Sequence, residues 1–214
     1  MNLRSINHGV SKMGFYRIIN KGPGLRRLFI GGVHGKEGLT TIKALKKINE
    51  DDVKDGCLVI YNCDESKYIS TLNPLYYKSK VGKEILFLIN HYHPDMYIEL
   101  HCYKAESYPT LTDLDRKRRV GVPPLIELEK EVLIGSVSPQ IRTTVFKRND
   151  ICITLEIPCS PTDESLKIYM NLLRILAGAK SRNDLEIQAT KIYPEQVETS
   201  QRYAWEIFGD YPPF

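Results

Sequence analysis

Residues 57 to 63 read CLVIYNC, a continuous, mostly apolar run with no alternation of apolar and polar positions. A strand of that kind is buried on both faces, and the architecture that buries strands in this way is a parallel sheet covered by helices. The neighbouring segments agree. Leu39, Ile42, Leu45 and Ile48 recur every three residues and predict a helix from about residue 38 to 49, with Lys43, Lys46 and Lys47 on its solvent side. Val81, Ile85, Leu88, Ile89 and Tyr92 predict a second helix, which Pro94 stops before the strand MYIELH.

The same reading extends to both ends of the chain. FYRII and LRRLFIGGV flank the turn-forming NKGPG and predict an opening hairpin. The polar stretch from 102 to 122 reads as a long loop, followed by a short helix after Pro123 and Pro124 and a strand near IRTTVF. ICITLEIP alternates like a strand, with Glu156 near its end. Ser160, Pro161 and Asp163 predict the start of a helix that runs through Leu166, Met170, Leu173 and Leu176 to Gly178. The tail from Ile192 is ambiguous. Strand–helix–strand order implies right-handed crossovers, so the expected fold is α/β: one domain over residues 1–214 with a mostly parallel (mixed) central sheet and helices on both faces.

Composition narrows the function classes. The 30 Lys and Arg exceed the 26 Asp and Glu by only four, too mild a balance to argue for nucleic acid. The basic run Arg116 to Arg119 reads as a solvated loop and lacks an interleaved aromatic platform. The five cysteines are odd in number, without C-x-x-C spacing, and fit free buried thiols in a reducing compartment. MNLRSINHGVSKMG lacks the apolar core of a leader, and no window reaches the length of a membrane span. The expectation is a cytoplasmic protein with neither membrane nor nucleic-acid partners.

The chemistry gathers at predicted strand ends. FIGGVHGKEG sets His34 and Glu37 in a nest of glycines after one strand, His101 ends another, and Glu156 stands near the end of a third. In open α/β sheets ligands collect outside the carboxyl ends of the strands. Two histidines and a glutamate form an established zinc set with one open position, and a further carboxylate beside it suits a general base. His91 and His93 lie near a helix end, where they face solvent or the terminal carbonyls rather than a metal. Taken singly, His34 is also an ordinary loop histidine and Glu37 an acid well placed at a helix start.

GGVHGKEG, PDMYIELHCY and TLEIP together resemble the zinc-binding and catalytic segments of the zinc carboxypeptidase superfamily, nearer its aspartoacylase and succinylglutamate desuccinylase branch. The resemblance covers roughly residues 28 to 157. It implies a zinc carboxypeptidase-like fold, with zinc on His34, Glu37 and His101 and Glu156 as the catalytic base. KYISTLNP resembles the family's oxyanion and carboxylate-binding region, which puts Lys67 at the first arginine and Asn73 at the asparagine of the Asn-Arg pair. Pro74 stands where the second arginine would be.

The function implied is a zinc-dependent hydrolase of an amide bond, either an N-acyl amino acid deacylase or a small carboxypeptidase, acting on a small-molecule or peptide substrate. The alternative is a non-catalytic relative that keeps the fold and a metal- or ligand-binding role. With Pro74 in the clamp position, an anionic substrate is expected to be held instead from the 102–122 loop, by Arg118 and Arg119, with Lys78 and Arg142 as further cations.

Overall fold

The run CLVIYN is indeed an interior strand, lying second in a seven-stranded sheet. The structure, a computed structural model, describes residues 14–212, so the first thirteen residues of the segment read above for a leader lie outside the described residues. In chain order the strands are β1 (Phe15–Asn20), β2 (Arg26–Gly31), β3 (Cys57–Asn62), β4 (Met96–Tyr103), β5 (Ile126–Glu129), β6 (Val132–Ser136) and β7 (Ile151–Pro158). Across the sheet they run β1-β3-β2-β4-β7-β6-β5. The four central strands are parallel, while β1, β6 and β5 join antiparallel, so the sheet is mixed.

Alternation along the central strands splits the core in two. Phe29, Ile60, Ile98, Leu100 and Leu155 face one side, where helices α1 (Gly38–Leu45) and, later in the chain, α6 (Asp163–Gly178) cover them. Leu28, Ile30, Val59 and Tyr97 face the other, against Val81, Ile85 and Leu88 of α2 (Lys80–Tyr92). Between α2 and α6 lie three short helices, α3 (Tyr108–Thr112), α4 (Arg116–Val120) and α5 (Pro139–Arg142). The chain finishes with α7 (Arg182–Ile192) and α8 (Pro194–Phe208), which resolve the ambiguous tail. Among the described residues no helix is long and apolar enough to cross a membrane.

The strand order fixes where a site can form. From β2 the chain crosses to β3 on one side, and from β3 it crosses back over β2 to β4 on the other. The chain leaves the carboxyl end of β2 toward β3 and that of β4 toward β5 at the opposite edge, so the two ends diverge and open a crevice between them.

Several expectations are corrected. β1 and β2 do not pair: β3 lies between them, and the NKGPG connection bonds to the start of β3 through Lys21 N–H to Gly56 O (2.7 Å) and Gly56 N–H to Pro23 O (3.1 Å). The crossover from β2 claims β2's edge for β3, so the hairpin opens into a clasp around it. The stretch after Pro123 and Pro124 is not a helix but strand β5, paired with β6 through a two-residue turn. That turn places Lys130 (φ 48°) and Glu131 (φ 64°) in the left-handed region without the glycine or asparagine that announces such a turn. IRTTVF is not a strand. Thr143 bonds back to Pro139 O (2.9 Å) and Thr144 to Gln140 O, local bonds that hold a helical turn against the β-branched preference.

The 102–122 stretch carries α3 and α4 rather than an irregular loop. The cap of α6 is Thr162, whose hydroxyl accepts from Ser165 N–H, not Ser160. Leu39 is turned to solvent at 48% exposure, because the buried face of α1 is Gly38, Thr41, Ala44 and Leu45. Cys102 and Cys159, expected as free thiols, are joined in a disulfide, while Cys57, Cys63 and Cys152 form none.

Candidate metal centre

The loop after β2 is shaped by a single carbonyl. At Gly32 (φ 69°) a Cβ would lie 1.8 Å from Cys63 O, and at Gly38 it would lie 1.9 Å from the same oxygen, so both positions exclude any side chain. The loop is pinned by Ser66 N–H to Gly35 O (2.8 Å) and by the Tyr76 hydroxyl to Val33 O (2.6 Å). Wound this tightly, the three-residue spacing turns His34 and Glu37 to the same side. His101 arrives from β4, and Glu156 stands beside it as its register partner on β7.

His34 Nδ1 lies 3.4 Å from Glu37 Oε1, and His101 Nδ1 lies 3.3 Å from Glu37 Oε2. The two imidazole centroids are 5.1 Å apart, and one donor atom from each of the three residues falls within 4.8 Å of the others. All three residues are largely buried. His34 Nδ1, Glu37 Oε2 and His101 Nδ1 each lack a hydrogen-bond partner, which is costly for buried polar atoms. A tetrahedral ion with bonds of about 2.0–2.2 Å sets its ligand atoms roughly 3.3–3.6 Å apart. Glu37 meets each histidine at that separation through a different oxygen, while the set as a whole spans up to 4.8 Å, a little wider than a bound ion would draw it. The donor set and the orphaned atoms fit a divalent ion such as zinc.

Electrostatics agree. Burial and the neighbouring His101 push His34 down to about 4, so it is a neutral imidazole near neutral pH, as a ligand must be. Burial also opposes charge on His101, but Glu37, Glu99 and Glu156 outweigh it and hold its pKa well above the ordinary histidine value. The carboxylates that face its ring therefore favour positive charge at this position. Glu99, fully buried two residues before His101 on the same face of β4, faces His101 Nε2 at 3.5 Å and accepts a 2.8 Å bond from the Tyr97 hydroxyl. A carboxylate behind a ligating imidazole fixes its tautomer and orientation. Sequence reasoning missed Glu99, although its period-two spacing from His101 was visible.

Glu156 is raised to about 7, chiefly by burial, with His101 and Arg116 lowering it and Glu37 and Glu99 raising it. Its Oε2 is buried and has no hydrogen-bond partner. These groups open into a cleft of about 700 Å³.

The other expected site residues lie elsewhere. Lys67 is exposed and outside the cleft wall, whereas the adjacent Tyr68 lines it, with its ring 4.7 Å and edge-on from His34. Asn73 is exposed and caps its own turn through Leu75 N–H (2.9 Å). Arg118 and Arg119 point outward, paired with Asp115 and Asp113. The basic residue of that run that turns into the cleft is Arg116, half-buried and bonded to Pro123 O at 2.6 Å. Once α4 forms, one helical turn sends the four basic residues in different directions, and a loop reading could not choose among them. Arg142 lines the cleft, but its guanidinium is held by Lys147 O (2.9 Å) and Arg148 O (2.8 Å). His91 is exposed and stacks on Phe87, and His93 is the left-handed cap of α2.

Among solved structures the chain is similar to an aspartoacylase family protein from Mesorhizobium loti, at 19% identity and a TM-score of 0.42, over 78% of this chain and 56% of that one. It is also similar to a metallo-carboxypeptidase from Pseudomonas aeruginosa in complex with (2-guanidinoethylmercapto)succinic acid, at 14% identity and a TM-score of 0.41, over 76% of this chain and 59% of that one. The chain thus spans somewhat more than half the length of either structure. It is 39% identical over 191 residues to the Uncharacterized protein MJ0501 of Methanocaldococcus jannaschii, covering 86% of this chain and 92% of that protein. With residues 22–209 also matching the family's model, the chain belongs to the family described as an uncharacterized protein conserved in archaea (DUF2119).

Proposed function

We propose that this cleft is the active site of a zinc-dependent hydrolase that cleaves the amide bond of a small anionic substrate, an N-acyl amino acid or a short peptide. The observation that carries the reading is the meeting of three buried donor atoms without hydrogen-bond partners, on His34, Glu37 and His101, beside an equally unpartnered Glu156 oxygen. A divalent ion on those three ligands would polarise a carbonyl and lower the pKa of water. Glu156 takes the proton from the attacking water on Oε2 and passes it to the leaving nitrogen, a role for which a carboxyl raised toward neutrality is suited. Glu99 holds His101 in the tautomer that presents Nδ1 to the site.

Arg116 supplies the positive charge for the substrate's carboxylate. It lines the same cleft and is close enough to Glu156 for each to shift the other's titration. Its planar fork suits a carboxylate better than an exposed lysine at position 67.

The second reading, a non-catalytic metal-binding relative, is favoured by one observation: Lys67 and Asn73 stand outside the cleft wall and Pro74 follows them, so the segment 67–74 meets the cleft only through the uncharged Tyr68, Ser70, Thr71 and Leu72 and brings no cation to it. The experiment that separates the two is hydrolysis of a panel of N-acyl amino acids and short peptides by the zinc-loaded protein, with Glu156→Gln as the control. Turnover by the parent and its near-complete loss in the variant supports the hydrolase. Zinc binding without turnover of any panel member supports the second reading.

A further inference from the structure

The sheet gives the cleft a direction. Its metal-binding end lies over β2 and β4, and the wall then follows the strand order through β7 and β6 to β5, with α8 packed over β5. With neighbouring strands about 4.8 Å apart, β5 stands roughly 14 Å from β4. Along that path the lining changes character. At the metal end it is His34, Glu37, His101 and Glu156; at the far end it is Leu111, Pro123, Leu125, Ile134, Ile207 and Phe208. Ile207 and Phe208 of α8, like Leu111 and Pro123, are only half-buried, so they keep apolar surface in contact with the cleft instead of closing it in the core. Gly135 of β6 makes room in the same wall, since a Cβ there would lie 2.5 Å from Leu125 Cδ2.

The cation and the apolar wall are tied together. Lys117, next to Arg116, forms a 2.9 Å ion pair with Glu206, next to Ile207. That exposed pair marks where α4 and α8 approach each other at the cleft rim, and the bond to Pro123 O (2.6 Å) holds the Arg116 guanidinium beside the apolar end of the cleft.

We infer that the ligand of this cleft is amphiphilic, with one carboxylate held at Arg116 and a large apolar group laid against α8 and the β5–β6 hairpin, rather than a small diacid. The inference rests on the hydrolase reading for the orientation of the scissile carbonyl, but not for the apolar subsite itself. The apolar group can come from the amino acid side chain or from the acyl chain, and the shared requirement is apolar bulk next to one negative charge. A second carboxylate at the far end would be desolvated against Leu125, Ile207 and Phe208; of the other cations among the described lining residues, Arg142 is committed to backbone carbonyls, and Lys36 and Lys104 are exposed and follow β2 and β4 at the metal end.

The test is calorimetric binding to metal-free wild-type protein and to zinc-loaded Glu156→Gln, using N-acetylphenylalanine, N-octanoylglycine, N-acetylaspartate and N-acetylphenylalanine methyl ester. At least one of the two apolar acids is expected to bind about tenfold or more tightly than N-acetylaspartate, the scale of burying one large apolar group. Which one does so identifies the source of the apolar group, and the methyl ester is expected to bind more weakly than its acid. The double change Ile207→Ala with Phe208→Ala, and separately Ile207→Asp, should abolish the preference while circular dichroism and zinc content stay unchanged. If either variant does not fold, the wild-type comparison decides alone. Equal or tighter binding of N-acetylaspartate overturns the inference, as does a preference that survives in both folded variants. Hydrolysis of acidic substrates alone would leave the zinc hydrolase standing and remove the apolar subsite. Tight binding of an apolar acid by a protein that takes up no zinc would do the reverse.

Discussion

His101 and Glu156 are register partners on the adjacent parallel strands β4 and β7, and one residue past His101 the same strand ends are tied by the Cys102–Cys159 disulfide. The metal end of the cleft and its candidate base are thus carried on one cross-linked pair of strands. Backbone pairing continues to the bridge, with Cys159 N–H donating to Tyr103 O at 2.8 Å. The spacing between a ligand and the base is set by the sheet and not by a loop.

That cross-link spans 57 residues of chain, so it restricts the unfolded ensemble substantially. Replacing both cysteines with serine is expected to lower stability by about 2–4 kcal/mol, read from denaturant unfolding without reductant. The same loss should appear in the parent after full reduction. If the parent unfolds at the same denaturant concentration with and without reductant, the bridge contributes nothing.

Elemental analysis should find about one zinc per chain, with His34→Ala and His101→Ala each losing it. Glu99→Gln is expected to weaken zinc affinity by about 10–100-fold, measured by chelator competition, because the amide no longer holds His101 as a carboxylate does. Stoichiometric zinc in both histidine variants would remove the metal centre altogether.

The basic run offers an internal control. Arg118→Ala with Arg119→Ala should leave kcat/KM within about twofold, since both side chains are exposed and paired with their own aspartates. Arg116→Ala should lower kcat/KM for a carboxylate substrate by about tenfold or more, and act mainly through KM. The opposite ranking would return the anion contact to the outer face of α4.

Away from the cleft, Asp95 receives a forked pair of bonds from the Arg26 guanidinium (2.7 and 3.0 Å) and a third from Arg26 N–H (3.0 Å). Those bonds, led by the guanidinium, hold Asp95 below the usual carboxylate range against the effect of burial. The unfolded state therefore binds the proton first as pH falls. The stabilisation is complete above the unfolded value near pH 4 and is lost as pH drops through the folded one. Because the pair is partly solvated, the contribution should be no more than about 1 kcal/mol. Unfolding of Asp95→Asn and the parent between about pH 6 and pH 3 should show the parent's advantage shrinking with acid; a constant difference counts against the assignment.

The sequence by itself determined the frame and the polar end of the site. CLVIYNC had to be buried on both faces, and the three-residue helical repeats had to cover it, so a parallel-cored α/β sheet followed from burial and periodicity alone. The glycines of GGVHGKEG left a turn in which His34 and Glu37 share a side, and IELH and TLEIP ended strands beside it. Those signals are local, and each was legible within about ten residues.

Only the tertiary structure decided what depended on distant partners. β3 separates β1 from β2 because the crossover claims the edge that a hairpin would have used. Lys130 and Glu131 turn a hairpin without a turn signature, held by the Tyr103 hydroxyl on Glu131 O (2.5 Å) from a strand far away in sequence. Cys102 and Cys159 meet because β4 and β7 are neighbours, a fact absent from their spacing. Arg116, and not Arg118 or Arg119, enters the cleft because α4 forms, with Arg116 bonded to Pro123 O on the cleft side and the other two paired with Asp115 and Asp113 on the outer one. The apolar end of the cleft exists because the tail folds back as a helix over β5. Neither choice is written in local sequence, because a side chain's direction is set by the packing of the element that carries it.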